Sequence, residues 1–223
     1  MWLLKKKTKA KVIYDVHEDV SKQILSKKWL PKIIRNIVSK LFNFFEKTVS
    51  KIFDRIIIVV PAQKKHFNFT NVLEIRNYPK INYFQQKINC SNKYTNNINL
   101  IYVGGLTKDR GIEKIINSLS FLNSEIKLDL VGSFSNKEFK NKIKDSKQWD
   151  RVNYVGRVSH KEVFSYLKKS SIGLVCLQPL PRYRVSLPTK MFEYMAAGLP
   201  VIASNFSLWE DIIEKDSCGI CVD

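Results

Sequence analysis

A lysine and a glutamate three positions apart mark the segment of this chain that suggests chemistry most directly. Lys190 and Glu193 follow Pro188 and precede Gly198. Proline favours the first turn of a helix and glycine its end, so the spacing predicts a helix with both charged side chains on one face near its N-terminus. There Lys190 and free N–H groups would face phosphates, while the Glu193 carboxylate could accept two hydrogen bonds from a ribose diol. An ordinary surface Lys–Glu pair, which contributes little to stability, fits the same spacing.

A glycine-rich turn suggests a second phosphate contact. Gly104, Gly105 and Gly111 lie between a predicted strand and a predicted helix, and Arg110 stands beside the last glycine. Glycines let the backbone approach a ligand, a helix N-terminus favours an anion, and a guanidinium can contact a phosphate bidentately. The spacing fits neither a P-loop nor a dinucleotide fingerprint, so an ordinary strand-to-helix turn remains an alternative.

Two other groups of residues are less specific. His17 follows a predicted strand beside Asp15 and Glu18, where it is either a functional histidine or one hydrogen-bonded to its acidic neighbours. Cys218 and Cys221 have the spacing of a redox centre, but such a centre opens a helix, whereas this pair lies in a strand-like segment. We therefore interpret the cysteines as part of a strand.

The elements that must position these residues alternate in type along the chain. Short β-branched runs, several apolar on both faces, separate segments of helical period, which predicts an α/β fold with parallel sheets and helices on both faces. The predicted strands are Lys11–Tyr14, Arg55–Val60, Val72–Ile75, Asn99–Val103, Lys127–Val131, Val152–Val155, Ile172–Leu177 and Leu199–Ala203, and the predicted helices include Ile112–Leu122, Asn136–Lys147, Lys161–Lys169 and Thr189–Ala197. The polar, unpatterned residues 81–97 predict a linker between a domain over residues 1–88 and another over residues 89–223.

One amphipathic segment, Ser26–Phe53, has two interpretations. Apolar residues recur there at helical spacing, and Pro31 is expected to start a new helix. Seven basic residues of the segment, with Lys22 just before it, supply the polar surface. We favour a domain helix that packs its apolar stripe against the sheet. The alternative is contact of the basic face, with Met1–Lys11, with an anionic membrane surface.

Composition narrows the class of protein. The chain has 223 residues, of which 44% are hydrophobic, and this rules out global disorder. Lys and Arg outnumber Asp and Glu by 38 to 20, and most of this excess lies within residues 1–90. The uneven charge favours an anionic partner, and a Lys-rich background composition is the alternative explanation for about half of the excess. A nucleic-acid-binding module is a weaker alternative, because no recognised motif is present. Four cysteines do not make a disulfide scaffold, and no apolar run is long enough to span a membrane, so we expect a cytoplasmic protein.

The run Glu193–Ile202 (Glu-Tyr-Met-Ala-Ala-Gly-Leu-Pro-Val-Ile) resembles the donor-site segment of glycosyltransferase family 4 (group 1). Other segments follow in the order of that family, namely Tyr14–Asp19, Arg76–Pro79, Gly104–Gly111, Leu130–Gly132 and Tyr154–Val158. The resemblance implies a GT-B fold of two Rossmann-like domains. It also implies truncation at both ends, with an incomplete N-terminal domain and a C-terminal domain without its last helices.

The resemblance further implies transfer of a sugar, with retention, from a nucleotide-sugar to a polysaccharide or lipid-linked saccharide, without a metal or other cofactor. The enzyme would work in the cytoplasm, peripherally at the inner face of the plasma membrane. Implied donor-site residues are Glu193 at the ribose, Gly104, Gly105, Arg110, Pro188, Thr189 and Lys190 at the phosphates, Arg157 and Val158 at the nucleobase, and His17 at the donor sugar. Two positions depart from the family pattern: Val185 replaces the first Glu of its E-x7-E motif, and Gly105 replaces an Arg. A non-catalytic remnant or one half of a split enzyme is the alternative.

Overall fold

The structure is a computed structural model that describes residues 7–8, 10–17, 19–27, 29–67, 71–80, 84 and 98–223. The chain divides into two compact units: Met1–Asn77 with Leu180–Leu187, and Tyr78–Pro179 with Pro188–Asp223. The predicted domain boundary at residues 88 and 89, nearly all of the predicted linker, and Cys90 lie outside the described residues. That boundary therefore stays a prediction.

The first unit contains a three-stranded parallel sheet in the order β1-β2-β3, formed by β1 (Ile13–Val16), β2 (Arg55–Ile58) and β3 (Val72–Glu74). Its connecting helices are α1 (Val20–Leu25), α2 (Lys32–Ser50) and the single turn α3 (Pro61–Lys64). The core consists of apolar side chains of the first two strands with one phenylalanine, namely Val16, Ile56, Ile58 and Phe67. All three strands lie where the sequence predicts them, with β1 two residues later.

Helix α2 contradicts the favoured interpretation of the amphipathic segment. It starts after Pro31, as predicted, but its apolar stripe does not pack on the sheet. The side chains of Ile33, Leu41 and Phe44 are 74%, 63% and 74% exposed. The buried positions of the helix are instead polar: Ser39, Glu46 and Ser50.

Hydrogen bonds explain this orientation of α2. The Tyr14 hydroxyl of β1 donates to Glu46 Oε1 at 2.7 Å, and His66 Nε2 lies 2.9 Å from Glu46 Oε2. The Ser39 hydroxyl donates to the carbonyl of Ser21 at 2.9 Å. A buried carboxylate is costly unless it is hydrogen-bonded, so Glu46 keeps the polar face of α2 toward the sheet. Burial raises the pKa of Tyr14, and the bond to Glu46 and its charge raise that pKa further.

The second unit contains a six-stranded sheet in the order β6-β5-β4-β7-β8-β9, with every neighbouring pair parallel. The strands are β4 (Asn99–Val103), β5 (Lys127–Val131), β6 (Val152–Gly156), β7 (Ile172–Val175), β8 (Val201–Ser204) and β9 (Gly219–Val222). Its helices are α4 (Ile112–Ser118), α5 (Lys137–Lys144), α6 (His160–Lys169), α8 (Thr189–Ala196) and α9 (Ser207–Ile213), and α7 (Pro181–Arg184) belongs to the first unit.

The strand order of the second unit indicates where a ligand-binding crevice would lie. The chain adds β5 and β6 on one side of β4 and then crosses to the other side to form β7. Where the direction of winding reverses, the loops after the two central strands diverge, and ligands of open α/β sheets bind there. The topology therefore points to the carboxyl ends of β4 and β7. In the described part of the chain, no helix combines the length and apolarity needed to cross a bilayer.

Candidate functional site

The predicted glycine turn follows β4 at the switch point, and Arg110 covers it. Gly104 has a φ of +131°, and a β-carbon there would lie 3.1 Å from Arg110 Nη1. A β-carbon at Gly105 would lie 3.8 Å from Arg110 Cζ. The backbone of Gly104 is fixed because its N–H donates to the carbonyl of Val131 at 2.9 Å. The structure thus brings together Gly104, Gly105 and Arg110.

Gly111 holds this turn against the loop after β7. Its φ is +73°, and a β-carbon there would lie 2.0 Å from the carbonyl oxygen of Cys176. Close by, the Gln178 N–H donates to the carbonyl of Asp109 at 3.0 Å. Only glycine permits this conformation and approach without strain. The two loops that flank the switch point are therefore in backbone contact.

Lys190 reaches the same turn from α8. Its side chain is only 9% exposed, and its Nζ has no hydrogen-bond partner among the described residues. That Nζ lies 3.6 Å from the centroid of the Tyr102 ring and 3.9 Å from the β-carbon position of Gly104. Burial lowers the pKa of Lys190 well below its usual value, and the positive charge of Arg110 lowers it further. Two basic side chains therefore converge on one glycine turn.

Tyr194 fixes α8 in this position. Its hydroxyl accepts a hydrogen bond from the Val103 N–H of β4 at 2.9 Å, and its side chain is fully buried. The ring crosses β7 at Gly173, where a β-carbon would lie 2.3 Å from Tyr194 Cδ2. Burial raises the pKa of Tyr194 well above its usual value, so its hydroxyl stays neutral. No sequence signal predicts this role, because a tyrosine in an apolar helix pattern is typical of any core.

Glu193 has a partner that the sequence analysis missed. Its Oε1 lies 2.9 Å from Nε2 of His160, the first residue of α6, and the two side chains are 12% and 64% exposed. Both residues line a small pocket together with Phe84 and Phe164, whose rings meet edge to face at 5.1 Å. No local signal connects His160 with Glu193, since they are 33 positions apart.

The remaining predicted donor-site residues are spread along the same edge of the sheet. Pro188 is the N-cap of α8 with a φ of −72° and no side-chain capping bond, and Thr189 is exposed at the first helical position. Arg157 and Val158 follow β6, two strands from β4 and thus about 10 Å away. Val185 ends α7 in the first unit. The roles assigned to Pro188, Thr189, Arg157 and Val158 stay predictions.

His17 lies directly after β1 in the first unit. Its Nε2 is 2.8 Å from Asp15 Oδ2, and the two side chains are 59% and 49% exposed. His17 therefore contacts one of its two acidic neighbours at ion-pair distance, while Glu18 lies outside the described residues. The contact of His17 with a donor sugar stays a prediction.

The cysteine pair has the structural setting that the sequence suggested. Cys221 belongs to β9 and Cys218 precedes it, and neither forms a disulfide. Burial and the charges of Glu214 and Glu210 raise the pKa of Cys221 to about 11. Such a thiol is a poor nucleophile at neutral pH. Among the residues that the structure describes, no three His, Cys, Asp or Glu side chains are grouped to hold a metal ion; the expected metal independence stays a prediction.

Comparison with known proteins connects this site to a family. The sequence profile of the glycosyl transferases group 1 matches residues 84–223. MJ1069, an uncharacterized glycosyltransferase of Methanocaldococcus jannaschii, is 24% identical over 206 residues, which are 85% of this chain and 51% of the relative. The chain thus spans about half the length of this relative.

Solved structures show the fold. Anabaena Alr3699/HepE in complex with UDP and glucose has a TM-score of 0.71 at 16% identity and covers 99% of this chain and 60% of its own. WaaG, a glycosyltransferase involved in lipopolysaccharide biosynthesis, has a TM-score of 0.66 at 15% identity, and the match covers 99% of this chain and 66% of WaaG. The predicted GT-B type of α/β fold is confirmed. Because the family profile also matches more than half of its residues, this chain belongs to the glycosyl transferases group 1.

Proposed function

We propose that this protein transfers a sugar, with retention, from a nucleotide-sugar to a polysaccharide or lipid-linked saccharide. The observation that carries the proposal is the convergence of Lys190 and Arg110 on the Gly104 turn at the switch point of the second unit. Two cations beside a glycine backbone suit a diphosphate, which carries several negative charges on a short span. The UDP complexes of the HepE structures support a nucleotide as the ligand.

Glu193 would hold the ribose of the donor. It lies one helical turn after Lys190, so phosphate and ribose contacts would come from the same face of α8. His160 keeps its carboxylate in a fixed orientation through the 2.9 Å contact. A carboxylate is an acceptor only, and it matches the two donors of a ribose diol.

The same cations serve the chemical step. In a retaining transfer the bond between the anomeric carbon and the diphosphate oxygen breaks, and negative charge develops on that oxygen. Arg110 and Lys190 would stabilise this charge electrostatically. The acceptor hydroxyl forms the new bond on the same face and gives its proton to the departing phosphate oxygen, so we assign no separate protein base.

Calorimetric titration of the protein with UDP, GDP, ADP and CMP tests the donor site. We expect saturable binding of one nucleotide, weakened at least about tenfold in Glu193→Ala, because hydrogen bonds to a charged group contribute about 1.5–3 kcal/mol each. Glu125→Ala is the matched control. Glu125 is exposed and lies just before β5, so it is at the amino ends of the strands, whereas the proposed site lies at their carboxyl ends. A folded protein that binds none of the four nucleotides would favour the non-catalytic remnant or split-enzyme alternative.

We also propose that α2 contacts an anionic membrane surface. Its apolar stripe is exposed, and Lys40, Lys47 and Lys51 lie along one border of that stripe at helical spacing. An amphipathic helix with this arrangement binds through apolar burial and through attraction to anionic lipid. This side of α2 differs from the buried polar side that contacts β1, so lipid contact leaves the fold of the first unit unchanged.

Flotation with vesicles tests this contact. We expect the protein to float with phosphatidylglycerol-containing vesicles, less with pure phosphatidylcholine, and not after Leu41→Glu combined with Phe44→Glu. Phe121→Glu combined with Leu122→Glu is the control, because these second-unit side chains are 89% and 40% exposed and the pair carries the same change of charge. Equal flotation of the double variant, or self-association of the wild type without lipid binding, would contradict the proposal.

A further inference from the structure

The ammonium group of Lys190 has surroundings that are unusual for a cation. Its side chain is 9% exposed, and no hydrogen-bond partner for Nζ exists in the described part of the chain. Lysine is almost never buried without a partner, because loss of hydration disfavours its charged form. The described residues therefore give the charged form of this amine no hydrogen-bond acceptor.

The groups that face Lys190 oppose one another. The Tyr102 ring of β4 lies 3.6 Å below Nζ and favours a cation, whereas the Arg110 guanidinium repels one. The carboxylate of Glu193, on α8, acts in the favourable direction, and a thiolate at Cys176, directly after β7, would do the same, although burial raises the pKa of that thiol. Burial and Arg110 outweigh them, and the result is a pKa of Lys190 well below the usual value.

A bound diphosphate would reverse this balance. It would bring at least two negative charges to the Gly104 turn, where Lys190 Nζ and Arg110 Nη1 lie 3.9 Å and 3.1 Å from the same β-carbon position. Phosphate oxygens would supply the missing hydrogen-bond acceptors, and their charge would offset that of Arg110. The protonated amine is thus favoured in the complex and disfavoured in the empty site.

We propose that Lys190 takes up a proton from solvent when the donor diphosphate binds, so that donor affinity depends on pH. This inference rests on the proposed donor site. In the reaction one proton moves from a buffer acid to the neutral Nζ and forms an ammonium, with no other bond changed. Lys190 also supplies, from α8, the cation that the family places at position 105 and that Gly105 lacks.

Titration calorimetry in buffers of different ionisation enthalpy measures this proton directly. The probe is whichever of UDP, GDP, ADP and CMP binds in the panel above, used at pH 8 and 9, where a terminal phosphate with a pKa near 6 is already ionised. For the wild type we expect uptake of a measurable part of one proton per nucleotide, with affinity that falls by up to tenfold per pH unit. Lys190→Arg, which stays protonated at these pH values, should bind without uptake and without this pH dependence. Lys190→Met should bind more weakly, also without uptake.

The outcomes separate this inference from the proposed function. Nucleotide binding by the wild type with the same heat in every buffer would overturn proton uptake but leave the donor site intact. Uptake that persists in Lys190→Arg or Lys190→Met would assign the proton to another group and overturn the inference as well. Failure of all four nucleotides to bind would refute the donor site itself. Circular dichroism identifies a variant that has not folded. In that case the binding heats of the wild type, compared between the different buffers, still decide whether a proton is taken up.

Discussion

The hydrogen bond between Tyr194 and β4 allows a quantitative test of how helix α8, which carries part of the proposed donor site, is held. In Tyr194→Phe the ring still fills its place over Gly173, but the Val103 N–H loses its acceptor. Tyr194 is 0% exposed to solvent, so water does not replace the lost hydroxyl oxygen without rearrangement of the protein. A buried donor left without a partner costs about 1–3 kcal/mol.

We therefore expect the free energy of unfolding of the second unit to fall by about 1–3 kcal/mol, which lowers the melting temperature of a chain of this size by about 2–12 °C. Urea unfolding followed by tryptophan fluorescence measures this, because Trp209 is fully buried in the second unit. Nucleotide binding should survive, since the Gly104 N–H keeps its own bond to the Val131 carbonyl.

The control for this substitution is Tyr166→Phe. Tyr166 lies on α6, is partly exposed, and its hydroxyl has no hydrogen bond to another described residue, so its removal should change the unfolding free energy by less than about 0.5 kcal/mol. If Tyr194→Phe matched this control, the hydrogen bond to β4 would not stabilise α8, and the reasoning would be refuted.

Three further predictions concern the same unit. Gly111→Ala should destabilise it by at least about 2 kcal/mol in urea unfolding, because its φ of +73° disfavours a side chain and its β-carbon would lie 2.0 Å from the Cys176 carbonyl oxygen; Gly105→Ala, which meets only an arginine side chain at 3.8 Å, should change it far less. Replacing Lys190 with Met should stabilise the ligand-free protein at neutral pH, because the wild type pays for burying an amine whose charged form is disfavoured. The unfolded chain binds the proton that the folded state disfavours, so the free energy of unfolding of the wild type rises with pH by up to about 1.4 kcal/mol per unit. The difference in unfolding free energy between Lys190→Met and wild type, measured in urea, should therefore shrink as the pH rises. Alkylation of Cys221 by iodoacetamide, followed by peptide mass spectrometry, should accelerate about tenfold per pH unit from pH 8 to 10, since its pKa is about 11; a constant rate would contradict this.

Local pattern was sufficient for the strands of the second unit. The runs Asn99–Val103 and Lys127–Val131 were predicted with the bounds that β4 and β5 have in the structure. Strands covered on both faces are continuous apolar segments between turns, and that signal needs no knowledge of the neighbours. The GT-B type of fold followed from motifs of the same kind, such as the glycine turn and the segment around Glu193.

Pattern was not sufficient for the direction in which a helix faces. The periodicity of α2 defines an apolar and a polar face correctly, yet the polar face is the buried one. That choice depends on the Tyr14 hydroxyl and the His66 ring, which reach Glu46 from other elements. A helical repeat contains no information about partners that are distant along the chain.

The sequence by itself determined which residue types lie near the proposed donor site: Lys190 and Glu193 on one helix, and Arg110 beside a glycine turn. Only the tertiary structure decided that Lys190 is buried over Tyr102 without a hydrogen bond and that Glu193 is paired with His160. The physical reason is the crossing of the chain from β6 to β7, which brings α8 against β4. Burial and the charges of neighbours set the protonation of an amine, and both depend on segments that the sheet topology brings together.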